Sequence, residues 1–181
     1  MTPDIIINDS MFSGDLDNLF ATLFTQTEWK QNFIYGHPIP RLTSWFGDVK
    51  YTYSGITNMP KPMTPLLTHI KEIIEDEYAY MFNSVLLNYY KDGNSSIGFH
   101  SDDEPELGVE PIIASLSLGT PRDLVFVHKK SAKKFIVPDT PGRLIIMKGN
   151  TQRDWTHGIM KSKSTLPRIN LTFRLIKDNI I

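Results

Sequence analysis

Arg168-Ile169-Asn170-Leu171-Thr172-Phe173-Arg174-Leu175 alternates polar and apolar residues without a break. In a strand successive side chains point to opposite faces, so Ile169, Leu171, Phe173 and Leu175 share one face and Arg168, Asn170, Thr172 and Arg174 the other. Two packings are open. With the polar face in water this is an ordinary half-buried antiparallel strand. With the polar face lining an interior, both arginines lose their solvent and need anionic partners, because isolated buried charge is costly. A small dicarboxylate would supply one carboxylate to each, and the planar guanidinium fork suits that pairing.

Working outward, the C-terminal hundred residues read as strand after strand: Phe82 to Tyr90, Ile97 to Asp102, Ile112 to Leu118, Leu124 to His128, Lys134 to Val137, Arg143 to Lys148 and Arg168 to Ile176. Turns punctuate them at Gly119-Thr120-Pro121, Pro138-Asp139-Thr140-Pro141-Gly142 and Gly149-Asn150. The first eighty residues differ. Ile5-Ile6-Ile7 predicts a short opening strand, and Asn8-Asp9-Ser10 and Ser13-Gly14-Asp15 offer caps for a helix with Leu16, Leu19, Phe20, Leu23 and Phe24 at helical spacing. Thr64-Pro65 starts a second helix whose apolar side is Leu66, Leu67, Ile70, Ile73 and Ile74. Between the helices, Phe33 to Tyr53 is rich in Pro, Gly and aromatics, with Arg41 among the rings; it reads either as an edge hairpin with core-facing rings or as a set of stacking platforms for bases. The pattern predicts an α+β domain, a double-stranded β-helix (jelly roll) with N-terminal helices packed on one sheet. Residues 1–181 are expected to form one domain, with a helical, nucleotide-recognition part to about residue 80 and a catalytic core from about residue 81.

Phe99-His100-Ser101-Asp102-Asp103-Glu104 carries the strongest chemical signal. In an extended chain His100 and Asp102 point the same way, so an imidazole and a carboxylate converge. With one more histidine they make the 2-His-1-carboxylate triad that holds Fe(II) and leaves positions open for a co-substrate and O2. H-x-D by itself also fits a solvated acidic loop. The third ligand is chosen among His37, His69, His128 and His157. His37 and His69 precede the predicted barrel strands, and His128 opens the basic run His128-Lys129-Lys130-Ser131-Ala132-Lys133-Lys134, a poor place for a cation. His157 follows the strand Arg143 to Lys148, which a jelly roll can return beside His100, and is the best candidate; a surface-loop histidine stays open on spacing alone.

Composition narrows the function classes. The chain has 181 residues, 40% of them hydrophobic, enough for one sizeable core. A net charge of -1 gives no global basic signature, so any nucleic-acid contact is local. Zero cysteines exclude a disulfide framework, thiolate zinc ligands and a thiol nucleophile. No apolar run is long enough to span a bilayer, and Met1-Thr2-Pro3-Asp4 lacks the features of a signal peptide, so a soluble intracellular protein is expected, without a membrane partner and acting as a monomer.

At this point the residues resemble a known family. Asn88-Tyr89-Tyr90, His100-Ser101-Asp102-Asp103-Glu104, Asp154-Trp155-Thr156-His157 and Arg168-Ile169-Asn170-Leu171-Thr172-Phe173-Arg174 are similar to the AlkB family of Fe(II)- and 2-oxoglutarate-dependent dioxygenases. The resemblance extends through Pro40-Arg41-Leu42-Thr43-Ser44-Trp45-Phe46-Gly47, Tyr51-Thr52-Tyr53-Ser54 and Pro111 to Gly119, nearly the whole chain from Pro40 on, and is greatest to the eukaryotic-type members that repair alkylated DNA and RNA. It implies that His100, Asp102 and His157 bind iron and that Asn88, Tyr90, Arg168, Asn170 and Arg174 hold 2-oxoglutarate. It further implies that Tyr51 and Tyr53 line the base pocket with His100 as the opposite wall, that Glu104 contacts the damaged base, and that Arg41 touches substrate. Ile34-Tyr35-Gly36 falls where duplex-repairing relatives carry an apolar finger, whereas the basic loop His128 to Lys134 is shorter than theirs.

The implied chemistry is oxidative demethylation of bases such as 1-methyladenine and 3-methylcytosine, with 2-oxoglutarate and O2 consumed and succinate, CO2 and formaldehyde released. The substrate base must be flipped out or single-stranded to reach such a site. A methyl on N1 of adenine or N3 of cytosine makes the ring cationic, which Glu104 or Asp103 would favour over the neutral base. Expected partners are alkylated single- or double-stranded DNA, with RNA as a further substrate and single strands preferred. Two alternatives are a 2-oxoglutarate-dependent hydroxylase of a protein or small molecule, and a non-catalytic jelly-roll binding protein.

Overall fold

The computed structural model describes residues 1–53 and 55–177, and of Tyr51, Tyr53 and Ile56 the backbone alone. Thirteen strands and three short-to-medium helices occur among them: β1 (Ile5–Asn8), α1 (Leu16–Gln26), β2 (Lys30–Ile34), β3 (His37–Gly47), β4 (Tyr51–Tyr53), β5 (Ile56–Asn58), α2 (Pro65–Tyr78), β6 (Ser84–Tyr90), β7 (Ile97–His100), β8 (Ile113–Gly119), β9 (Arg122–His128), β10 (Lys134–Asp139), β11 (Leu144–Met147), α3 (Thr151–Asp154), β12 (Trp155–Ile159) and β13 (Arg168–Arg174). A seven-stranded sheet runs β1-β11-β8-β13-β6-β3-β2, a four-stranded sheet runs β10-β9-β12-β7, and β4 pairs with β5 alone. The pairings are antiparallel.

Helix α1 begins at the later of its two candidate caps, Asn8 instead turning the chain by accepting from the Ser10 and Met11 amides, and α2 begins at its predicted cap. The Asp15 carboxylate accepts from the Asn18 amide at 2.9 Å and the Thr64 hydroxyl from the Leu67 amide at 3.2 Å, each satisfying a donor that the first helical turn leaves over. Leu23 of α1 and Leu67, Ile70 and Ile74 of α2 then pack with Val85, Leu87, Leu116, Ile146, Ile169, Leu171 and Phe173 in one core. A second core lies on the other face of the same sheet, where Leu86, Ile113, Ile145 and Met147 meet Leu124, Phe126, Trp155 and Ile159 of the four-stranded sheet. The period-two alternation of the large sheet therefore serves two cores. Odd-numbered residues of β13 face the helices, and Arg168, Asn170, Thr172 and Arg174 face the space between the sheets, all four of them buried. The solvated packing of this face is thereby ruled out. The apolar face stops one residue short of the sequence expectation, because β13 ends at Arg174 and Leu175 is exposed.

The first eighty residues contribute more than helices. β1 pairs with β11, and β3 pairs with β6, so strands from the predicted recognition part sit at both ends of the large sheet. The stretch after Phe33 includes a hairpin, β2 to β3, turning at Tyr35 and Gly36 with φ of 50° and 79°, the left-handed pair that a two-residue hairpin loop requires. Within it Trp45 and Phe46 are core rings, whereas Phe33 and Tyr35 are exposed.

β12 was not expected as a strand. Its short run Trp155-Thr156-His157-Gly158-Ile159 is stabilised by neighbours, since it is hydrogen-bonded to β9 on one side and β7 on the other. The β12–β7 register shifts between His157 and Ile159, next to Gly158, where a Cβ would stand 2.8 Å from the Ile97 carbonyl oxygen and 3.1 Å from that of Gly98. Backbone cannot yield there as a side chain would. Gly158→Ala is expected to force β7 and β12 apart and to lower stability in urea denaturation by about 1–3 kcal/mol, the usual cost of overpacking. Gly98→Ala, with nothing within 4 Å of the added Cβ, serves as the matched control and should stay within about 0.5 kcal/mol of the parent.

Candidate active site between the sheets

His100 closes β7 and His157 lies in β12, and the two are direct cross-strand partners with ring centroids 4.4 Å apart. Asp102 follows β7 by two residues. One ligand atom from each of His100, Asp102 and His157 lies within 4.8 Å of the others, the single such cluster among the described residues. The protonation states suit a cation. Gly98 O can only accept, so the His100 Nδ1 that lies 2.9 Å from it carries the proton and Nε2 keeps its lone pair. Burial pushes the His100 imidazole down, and burial together with His100 pushes His157 down to about 3. Burial alone would push Asp102 up; Arg174, His157 and His100 outweigh it and hold its carboxyl at about 2. Two neutral imidazoles and one carboxylate therefore face one another without a proton to remove. That donor set fits a divalent metal such as iron bound facially.

The remaining candidates line the same cavity: Asn88 and Tyr90 from β6 and Arg168, Asn170 and Arg174 from β13, with Leu86, Ile97, Leu124, Met147 and Ile159 as its apolar wall. Arg168 is Tyr90's cross-strand partner and its guanidinium lies 4.9 Å from the ring centroid. Asn170 donates to Ser115 Oγ at 2.8 Å and accepts from Thr172 at 2.8 Å. One expectation is corrected here. Each arginine already has a carboxylate of the protein: Arg174 Nη2 donates to Asp102 Oδ1 at 2.7 Å, and Arg168 Nη2 donates to Asp139 Oδ2 at 2.6 Å. A dicarboxylate is therefore not needed to neutralise both; the fold supplies a counter-charge to each because a guanidinium between two sheets has no water to turn to.

Three residues were missed by sequence reasoning. Gln152, in α3, accepts from the Asp102 amide at 2.9 Å and fixes the ligand's backbone. Asp139 and Ser117 form the cradle behind Arg168. Asp139 stands in a Pro-Gly-rich turn sequence and Ser117 in an apolar run, and nothing about either marks a buried ion pair. The substrate candidates are more dispersed. Arg41 is buried and its Nε donates to Asn88 Oδ1 at 2.8 Å, so it supports the cavity wall. Glu104 begins a 3-10 turn (Pro105–Leu107) just past the ligands, and exposed Asp103 pairs with Lys129 at 3.6 Å. Tyr35 is 98% exposed at the hairpin tip. The side chains of Tyr51 and Tyr53 lie outside the described residues.

Comparison with known proteins agrees with this geometry. Residues 5–174 match the family model of the 2OG-Fe(II) oxygenase superfamily. The chain is 40% identical over 177 residues to the alpha-ketoglutarate-dependent dioxygenase alkB homolog 3 of Mus musculus, covering 90% of this chain and 62% of that protein. It is 38% identical over 181 residues to the DNA oxidative demethylase ALKBH2 of Homo sapiens, covering 90% and 69%. A solved structure of OsALKBH1 superposes with a TM-score of 0.69 at 15% identity, covering 96% of this chain and 99% of that one, a likeness of fold. The chain thus spans about three-fifths of the length of the first of these relatives. The two histidines and one aspartate between the sheets, the match across nearly the whole chain and the similarity to these relatives place it in the AlkB family of 2OG-Fe(II) oxygenases.

Proposed function

We propose that the protein is an Fe(II)- and 2-oxoglutarate-dependent dioxygenase that removes methyl groups from N-alkylated bases such as 1-methyladenine and 3-methylcytosine in DNA, and in RNA. The observation that carries this reading is the adjacency of the His100-Asp102-His157 cluster to the buried arginine face of β13 in one cavity. Bound iron with 2-oxoglutarate and O2 would supply an oxidative decarboxylation to succinate and CO2, one oxygen atom entering succinate and the other hydroxylating the base methyl, which is then lost as formaldehyde. The residues do the rest. His100, Asp102 and His157 hold the metal in one orientation, with Gln152 and Arg174 fixing Asp102 from its backbone and its carboxylate. Asn88, Tyr90, Arg168, Asn170 and Arg174 orient the co-substrate. Leu86, Leu124 and Ile159 keep water from the reacting carbon.

The substrate enters over Glu104 and Asp103. A ring methylated at N1 of adenine or N3 of cytosine is a cation, and half-buried Glu104 rewards it over the neutral base. Asp103 is in part committed to Lys129, whose ammonium also donates to the Gln152 carbonyl at 2.8 Å. This takes one lysine of the basic loop away from phosphate. The loop is thereby a weak grip on a complementary strand, which supports a preference for single strands. Tyr35 argues for some duplex activity: a fully exposed ring on a two-residue turn can enter a base stack.

A panel of methylated oligonucleotides, assayed by mass with 2-oxoglutarate present, tests the function; unchanged masses across the panel would reject it. Asp102→Ala and His157→Ala are each expected to lower turnover by about 100-fold or more with the fold retained. Arg174→Lys keeps the charge but loses the fork to Asp102 and the co-substrate, and the KM for 2-oxoglutarate should rise about tenfold or more. Tyr35→Ala should slow demethylation of a 1-methyladenine duplex at least about threefold more than that of the same strand alone, since base–aromatic stacking is worth about 1–3 kcal/mol. Equal losses on the two substrates would remove Tyr35 from the wedge role.

A further inference from the structure

Asp139 is a buried carboxylate that the proposed reaction does not use. It ends β10 and is 1% exposed. Its Oδ2 accepts from Ser117 Oγ at 2.6 Å and from Arg168 Nη2 at 2.6 Å, and Ser117 Oγ accepts from the same Arg168 nitrogen at 2.7 Å. Arg168 is thus clamped at one nitrogen. Its Nε and Nη1 are buried and have no hydrogen-bond partner among the described residues, yet the side chain lines the cavity that holds the metal-ligand cluster. Buried donors left unmade are costly, and in a native fold each calls for a partner, whether ligand or water.

Charge at this end of the cavity points the same way. Arg122, cross-strand partner of Asp139, is buried beside the same Tyr90 ring as Arg168, at 6.0 Å against 4.9 Å. Arg122 is held by the carbonyl oxygens of Asp92, Ser95 and Met160, which carry no charge. Asp139 bonds Arg168 alone, and the carboxylate that acts on Arg122 is Asp92, so the unmade donors of Arg168 lie beside a second guanidinium. A ligand carboxylate meets those donors with a charge; an uncharged ligand end does not.

We infer that Asp139 is a positioning residue that selects the co-substrate: by holding Arg168 from behind through Nη2, it leaves Nη1 to donate to the distal carboxylate of a 2-oxo dicarboxylic acid. The inference rests on the co-substrate site proposed above. It assigns to Asp139 the discrimination between a 2-oxo acid with a second carboxylate and one without.

The test is an anaerobic titration of the Fe(II)-loaded protein with 2-oxoglutarate and with 2-oxopentanoate, which has the same carbon chain but no distal carboxylate. Binding is read from the visible charge-transfer absorption, with iron content measured on each sample. The parent should prefer 2-oxoglutarate by about 100-fold, the scale of a charge-assisted hydrogen bond. Asp139→Ala should cut that preference about tenfold or more through 2-oxoglutarate alone, leaving 2-oxopentanoate within about twofold. Asp139→Asn keeps an acceptor oxygen without the charge and should fall between; it decides by the same ratio if the alanine variant does not fold. Parallel weakening of both ligands, or an unchanged preference in both variants, would overturn the role of Asp139. A parent that does not discriminate the two acids would instead overturn the co-substrate site itself, and Asp139 with it.

Discussion

A guanidinium enclosed between two sheets must be met by negative charge, and β13 carries one near each end. At one end Arg174 meets Asp102; at the other Arg168 meets Asp139. The two pairs are not equivalent. Asp102 is surrounded by Arg174 and two imidazoles, so its carboxyl is held at about 2 in spite of burial. Asp139 has Arg168 and Ser117 on one oxygen and no partner among the described residues on the other, and burial pushes its carboxyl up. One pair thus keeps a candidate metal ligand ionised, while the other holds an arginine in place.

This arrangement links the two halves of the chemistry through a single strand. Arg174 touches the metal-ligand cluster and Arg168 the far end of the cavity, and between them Asn170 and Thr172 are tied to each other and to Ser115. β13 is hydrogen-bonded on both edges, to β8 and β6, and covered on both faces. A side chain mounted on such a strand has few ways to move, which is what positioning a co-substrate against a metal demands. The candidate ligands His100 and His157 sit instead on the smaller sheet, where the close approach at Gly158 sets how near their strands lie.

Outside the cavity the surface is built more loosely. The exposed Tyr35 hairpin, the Asp103–Lys129 pair and Glu104 belong to turns and loops, the parts of a fold that can vary without disturbing a core. In the proposed function, the two sheets would set the metal and co-substrate site, and what decorates their rim would set the choice among nucleic-acid substrates.

Much of this was legible in the chain. The strict alternation of residues 168–174 foretold a two-faced strand, the apolar spacing with the cap candidates that include Asp15 and Thr64 foretold both helices, and H-x-D with His157 foretold the convergence of those three side chains, because each signal is local or repeats with the period of its element. The sequence also held the family resemblance, through those same segments. It could not say whether the polar face of β13 is solvated or enclosed, since that depends on a second sheet formed by other segments of the chain. Nor could it show that Trp155–Ile159 is a strand, because those five residues gain their order from β9 and β7. Gln152 and Asp139 were invisible for the same reason. The Arg168–Asp139 pair joins residues 29 apart in the chain and the Gln152 clamp on Asp102 residues 50 apart, and only the packed tertiary structure, by excluding water from Arg168 and Asp102, gives those ordinary side chains their roles.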